Sequence, residues 1–178
     1  MFFTFIILVI LSFVFSNNST SIQAPPEDTV PITAIRPSLN GTWQLDRVNS
    51  ESVDDILQLM GVSIYKRRII RNLDIKDIYD ITQTTFHIIR DTSHSHKNQT
   101  YRFNIEETVN DELMGDVKQI VTYINGNIVI NVKQSNNAKA CSIRKLSPND
   151  PNKMIFISNY TIADGSVTKT CTRYFKRK

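Results

Sequence analysis

An all-β fold, an antiparallel barrel of ten strands, is what this 178-residue chain predicts, and three observations predict it. Beyond Leu39 the chain divides into ten short strand-like runs separated by turn signals, with helical periodicity at one place only. Asn125-Gly126 stands between two of those runs, the strongest two-residue signal for a tight hairpin. The alternation is also incomplete. In Val167–Arg177 one face reads Val, Lys, Cys, Arg, Phe, Arg and the other Thr, Thr, Thr, Tyr, Lys. A barrel whose interior holds water and a ligand tolerates such a pattern, whereas a dry core does not. Closure removes the edges that so many strands would otherwise expose.

In chain order, Gly41–Leu45 is the opening strand. Ser52–Met60 then places Val53, Ile56, Leu57 and Met60 at i, i+3, i+4 and i+7, one face of a helix. Ser52 is the expected N-cap, with Asp54 and Asp55 in the first turn where the helix dipole favours negative charge. Gly61 can stop that helix, and a second short one follows over about Val62–Arg71. The remaining strands are expected at Ile78–Gln83, Thr85–Arg90, Thr100–Ile105, Glu107–Val109 and Val117–Ile124, then Ile128–Lys133, Ala138–Leu146, Met154–Tyr160 and Val167–Lys176.

Composition narrows the function classes. With 40% hydrophobic residues the chain is ordinary globular material. Its 21 Lys and Arg against 17 Asp and Glu leave only +4, too little to argue nucleic-acid binding without a clustered stripe. Two cysteines cannot staple a small scaffold, and three histidines make a multi-His metal enzyme a poor reading. Enzyme signatures are missing too: there is no Gly-X-Ser-X-Gly, no phosphate loop and no His-Glu-X-X-His. No cofactor is expected.

Phe2–Phe15 is an apolar run without charge, shorter than the ~20 residues a spanning helix needs. It reads as the core of a secretory signal, with Val14 and Ser16 before a cut at Asn17. Residues 1–16 are thus expected to be a signal peptide, 17–38 a flexible leader and 39–178 the domain, in a secreted, extracellular protein. Asn17, Asn18, Asn40, Asn98 and Asn159 each open an Asn-X-Ser/Thr triplet, in keeping with a glycoprotein.

The opening Gly41-Thr42-Trp43-X-Leu45, the stretch from Ser52-Val53-Asp54-Asp55 through Leu59-Met60-Gly61-Val62, the Asn125-Gly126 turn and the closing Thr172-Arg173-Tyr174-Phe175 together resemble the fatty-acid-binding protein family of the calycin superfamily. The helix pair directly after the first strand is the specific part, since lipocalins lack it there. The leader departs from the mostly cytosolic family and resembles the layout of its secreted nematode members. The resemblance implies a ten-stranded up-and-down β-barrel with a helix-turn-helix lid, holding a long-chain fatty acid or retinoid-like acid for transport or sequestration.

It also implies a carboxylate site of two arginines and a tyrosine. Counting on from Asn125-Gly126, these positions fall on Arg144, Arg173 and Phe175, so the phenol is missing. Arg173 and Phe175, two apart on one strand, point to the same side. A water, or Tyr174 on a bulged strand, could substitute. Val53, Ile56 and Leu57 are expected to press the lid onto the barrel mouth beside a turn around His94–Lys97, with His96 near the family's gate position. His94 and His96 do not make a metal site, having no carboxylate pattern beside them. Lys66, Arg67, Arg68 and Arg71 offer a basic patch to an anionic membrane surface. If both site arginines face inward, Cys141 faces out and Cys171 in, with a strand between them, too far for a disulfide. A monomer is expected. The competing reading is a secreted interaction protein whose barrel is only a scaffold and binds no lipid.

Overall fold

The computed structural model describes residues 38–111 and 113–178; the apolar run Phe2–Phe15, the proposed cleavage site, the sequons at Asn17 and Asn18 and the leader up to Pro37 lie outside them. Strand β1 (Gly41–Leu45) leads into helices α1 (Asp54–Leu59) and α2 (Ile64–Arg71). Then follow β2 (Ile75–Ile81), β3 (Thr85–Thr92), β4 (His96–Arg102), β5 (Glu106–Asp111), β6 (Gly115–Ile124), β7 (Asn127–Gln134), β8 (Lys139–Ser147), β9 (Asp150–Thr161) and β10 (Thr168–Arg177). Every neighbouring pair is antiparallel, in the order β4-β3-β2-β1-β10-β9-β8-β7-β6-β5. The up-and-down sheet curls into a barrel wall, and the β1–β10 ladder joins its first strand to its last.

At the rim between β4 and β5 the chain makes another kind of contact. The Asn104 N–H donates to the Val121 carbonyl at 2.8 Å, and Phe103 stacks on Tyr123 with ring centroids 5.7 Å apart. Asn104 adopts φ 61°, a left-handed conformation that asparagine tolerates better than most residues.

Alternation decides what the wall buries. Trp43 and Leu45, Phe86 and Ile88, Ile128, Ile130 and Val132, and Met154 and Phe156 point inward at every second position. The lid is buried through Val53, Ile56, Leu57 and Ile70, so its packing face is the one the periodicity indicates. Glu51 ties the entry of the lid to β10: its N–H donates to the Thr172 carbonyl at 2.9 Å, and its carboxylate accepts the Thr172 N–H at 2.6 Å.

Several boundaries differ from the sequence reading. Strand β2 starts three residues before Ile78 and β4 four before Thr100, because polar side chains there occupy ladder positions that a hydrophobic pattern does not mark. The expected turn at His94–Lys97 is therefore Ser93–Ser95, nucleated by Thr92, whose hydroxyl accepts the N–H groups of His94 and Ser95. The N-cap of α1 is Val53 rather than Ser52, although the Ser52 hydroxyl still accepts the Asp54 N–H at 3.2 Å.

The start of the domain is fastened by Arg177. Its guanidinium donates to the carbonyls of Asn40 and Ser38 at 2.6 and 2.8 Å and lies 4.3 Å from the centroid of the Trp43 ring. The Trp43 indole N–H donates to Leu39 at 2.7 Å. Asn40 acts as an extra rung: its side chain accepts the Ile81 N–H at 2.7 Å and donates to the Ile81 carbonyl at 3.3 Å. Gly41 between them takes φ 121°, where a side chain is strained, and a Cβ there would stand 2.7 Å from Arg177 Nη1. Gly41→Ala is expected to cost more than about 1 kcal/mol of unfolding free energy, read as a lowered urea midpoint with an unchanged m-value.

Candidate ligand-binding site

The barrel interior is polar where a dry core would be apolar. Asp77, Arg90, Arg144 and Arg173 are all buried. The hydrogen-bonded register explains how the two sequence-predicted arginines meet. Arg144 on β8 and Arg173 on β10 each pair across with Phe156 on the intervening β9. All three residues are buried on the inner face, with the two arginines on either side of Phe156 along the ladder. Arg144 lies 4.7 Å from the Phe156 centroid and 5.9 Å from that of Phe86. Phe175 meets Phe156 edge-on at 6.5 Å, on the same face as Arg173.

Arg90 is neutralised inside the barrel. Its Nε donates to Asp77 Oδ1 at 2.5 Å, and Nη2 donates to Asp77 Oδ2. Burial opposes the charge on Arg90, but the Asp77 carboxylate outweighs it and holds the guanidinium above its ordinary value. Tyr79 donates its hydroxyl to Asp77 at 2.9 Å and accepts from Arg144 Nε at 3.1 Å. Burial and the Asp77 charge push that phenol well up, so it keeps its proton. Arg144 Nη1 donates to Ser142 at 3.2 Å, completing a relay from Arg90 through Asp77 and Tyr79 to Arg144.

Sequence reasoning passed over Asp77, Tyr79 and Arg90, yet Tyr79 supplies to Arg144 a phenol that Phe175 lacks. Tyr174 does not take that role. The β9–β10 register runs without a bulge, and Tyr174 faces outward beneath Lys153, whose Nζ is 4.2 Å from its ring centroid. The alternation Ile75, Asp77, Tyr79 was the available signal, visible once β2 is phased from Ile75.

Arg173 differs from Arg90. It is 3% exposed, and its Nε and Nη1 have no hydrogen-bond partner among the described residues. Burial pushes its guanidinium down to about 10, still charged at neutral pH. Such a cation costs free energy until an anion reaches it.

Val53 at the N-cap of α1 and Ile56 and Leu57 within it form the buried face of that helix. His96 is exposed and belongs to β4 rather than to a turn; its Nδ1 sits 2.6 Å from Asp91 Oδ1. Of the basic patch, Arg67 is drawn to Gln58 at 2.8 Å and Asp54 at 3.6 Å, leaving Arg68 and Arg71 exposed beside Ile64, Tyr65 and Ile69. Cys141 faces outward opposite Asn159 and Cys171 inward opposite Ser158; both thiols are free, and burial pushes Cys171 up to about 11.

No protein-family model matches the chain, and no curated protein matches it in sequence. Its backbone, in contrast, is similar to solved fatty-acid-binding structures. Lipid-binding protein 8 of Caenorhabditis elegans superposes with a TM-score of 0.66 at 17% identity, over 83% of this chain and 100% of that one. Fatty-acid-binding protein 1 of Echinococcus granulosus gives 0.64 at 14% identity, over 78% and 96%. The Schistosoma mansoni fatty-acid-binding protein, in complex with arachidonic acid, gives 0.63 at 18% identity, over 78% and 95%. The chain therefore has the fold of these proteins.

Removing Asp77 strands Arg90 in the barrel. Asp77→Ala is expected to destabilise by about 3–5 kcal/mol in denaturant titration, whereas the double change Asp77→Leu with Arg90→Met recovers most of that loss.

Proposed function

We propose that this chain is a member of the fatty-acid-binding protein family and works as a secreted lipid carrier, holding a long-chain fatty acid or related hydrophobic acid inside its barrel. The observation that carries the reading is the buried guanidinium of Arg173, whose Nε and Nη1 have no hydrogen-bond partner among the described residues, on a residue that pairs across to Phe156 as Arg144 does from the other side. A carboxylate fits both demands. It neutralises the charge, and its oxygens accept from the planar fork of N–H groups. Tyr79 holds the Arg144 side chain by Nε, which fixes the guanidinium on the Phe156 ring.

The alkyl tail supplies most of the affinity, roughly 0.8 kcal/mol for each CH₂ taken out of water. In this reading the tail runs toward the lid, which sits on β10 through Glu51 and through the Lys169–Asp55 ion pair at 3.4 Å. Val53, Ile56 and Leu57 hold the lid shut, and His96 lies outside the gate as a solvated strand residue. Lys66, Arg68 and Arg71, with exposed Ile64, Tyr65 and Ile69, suit contact with an anionic membrane surface during loading. Secretion rests on the Phe2–Phe15 run and the sequons.

Delipidated protein lacking residues 1–37 is expected to bind a fluorescent fatty acid at one per chain and to release it to oleate. Arg173→Gln is expected to weaken oleate at least tenfold. Absence of saturable binding would instead favour the scaffold reading. Arg173→Met is expected to raise the stability of the ligand-free protein by about 1 kcal/mol or more while losing the acid, because the buried charge serves the ligand and not the fold.

A further inference from the structure

Gln119 stands apart from the arginine relay. It lies on β6 between Val117 and Val121, all three inward by alternation, and is 2% exposed. Neither its Nε2 nor its Oε1 has a hydrogen-bond partner among the described residues. On β5 it faces Glu107, whose carboxylate is taken up by Arg102. A buried primary amide with both ends unsatisfied is costly, whereas a leucine or methionine of similar volume would fill the place at no such cost.

The register fixes where this amide lies relative to the proposed head-group site. The inward row that holds Arg144, Phe156 and Arg173 continues through Ile128. Two inward rows further on, Gln119 pairs with Val132, which pairs with Ala140, which pairs with Tyr160. That is four residues along the strands, or about 13 Å. The displacement is toward the lid, since Tyr160 pairs with Lys169, whose ammonium meets Asp55 of α1. An extended acyl chain with its carboxylate on the arginines would therefore bring the middle of its length, not its head or its tip, to the depth of Gln119.

We propose that Gln119 is a second polar subsite of the barrel, and that the acid carried is a fatty acid bearing a hydroxyl near mid-chain. A hydroxyl satisfies both ends of the amide at once, donating to Oε1 and accepting from Nε2. A plain alkyl chain satisfies neither. The proposal rests on the acid-carrier reading and adds to it the substrate class.

The test is a displacement titration of the delipidated protein with stearate, 10-hydroxystearate and 2-hydroxystearate. The expected result is about fivefold to tenfold tighter binding of the 10-hydroxy acid than of stearate, with no such gain for the 2-hydroxy acid. Gln119→Leu is expected to abolish the gain while stearate binds as well or better. If that variant fails to fold, the positional comparison in the unaltered protein decides. Equal affinity for stearate and the 10-hydroxy acid, or a preference that survives in Gln119→Leu, overturns the subsite and leaves the carrier standing. Binding of none of the three acids overturns the carrier reading and the subsite with it.

Discussion

The polar interior of the barrel is organised around one carboxylate. Asp77 takes two donors from Arg90 and one from Tyr79, and Tyr79 in turn holds Arg144. Without that carboxylate, Arg90 would be an uncompensated buried cation and Tyr79 would lose the acceptor that orients its hydroxyl. Three strands are coupled in this way, since β2 carries the acceptor and β3 and β8 carry the arginines. Asp77 pairs directly with one of the three buried guanidiniums, that of Arg90. The other buried aspartate, Asp111, accepts the N–H groups of Leu113 and Met114 at the β5–β6 turn. Arg173 is held by neither aspartate through a hydrogen bond: its Nε and Nη1 have no hydrogen-bond partner among the described residues.

This contrast separates the parts of the interior that serve the fold from those that serve a ligand. Trp43, Phe86, Tyr101 and Met154 fill space and bring the curled sheet together, with Phe86 stacked on Tyr101 at 5.7 Å and edge-on to Tyr79 at 5.1 Å. Arg173 through Nε and Nη1, and Gln119 through both ends of its amide, have no hydrogen-bond partner among the described residues that would offset their burial. Side chains that weaken a structure and remain buried in it mark the places where the energetics are completed by something else.

The sequence made the architecture legible because turn chemistry and strand length survive a polar interior. The Asn125-Gly126 hairpin, with φ of 52° and 82°, and the helix pair after β1 stand where the sequence puts them. Strand phasing was legible only where apolar residues marked it. β2 was placed three residues late because its inward positions are Ile75, Asp77 and Tyr79, and a buried aspartate reads like a surface residue. β4 was shortened because His96, Lys97, Asn98 and Gln99 carry no hydrophobic signal at all. Arg144, Arg173 and Phe175 came from resemblance; all three are buried on the inner face, and the two arginines pair across with Phe156. Asp77, Tyr79, Arg90 and Gln119 needed the ladder, since their significance lies in what they face across the barrel and not in any local motif.

The placement of the two cysteines turns the barrel wall into a chemical partition. Cys141 and Cys171 stand two strands apart in one continuous sheet, yet one thiol borders the surrounding medium and the other the enclosed chamber, near the main-chain oxygen of Glu51 where the lid begins. An oxidant or alkylating agent arriving from outside reaches the first without disturbing the lid. The second is 1% exposed, so a reagent reaches it only when the interior opens. The relative reactivity of the two thiols is thus a measure, built into the chain, of how often that interior opens.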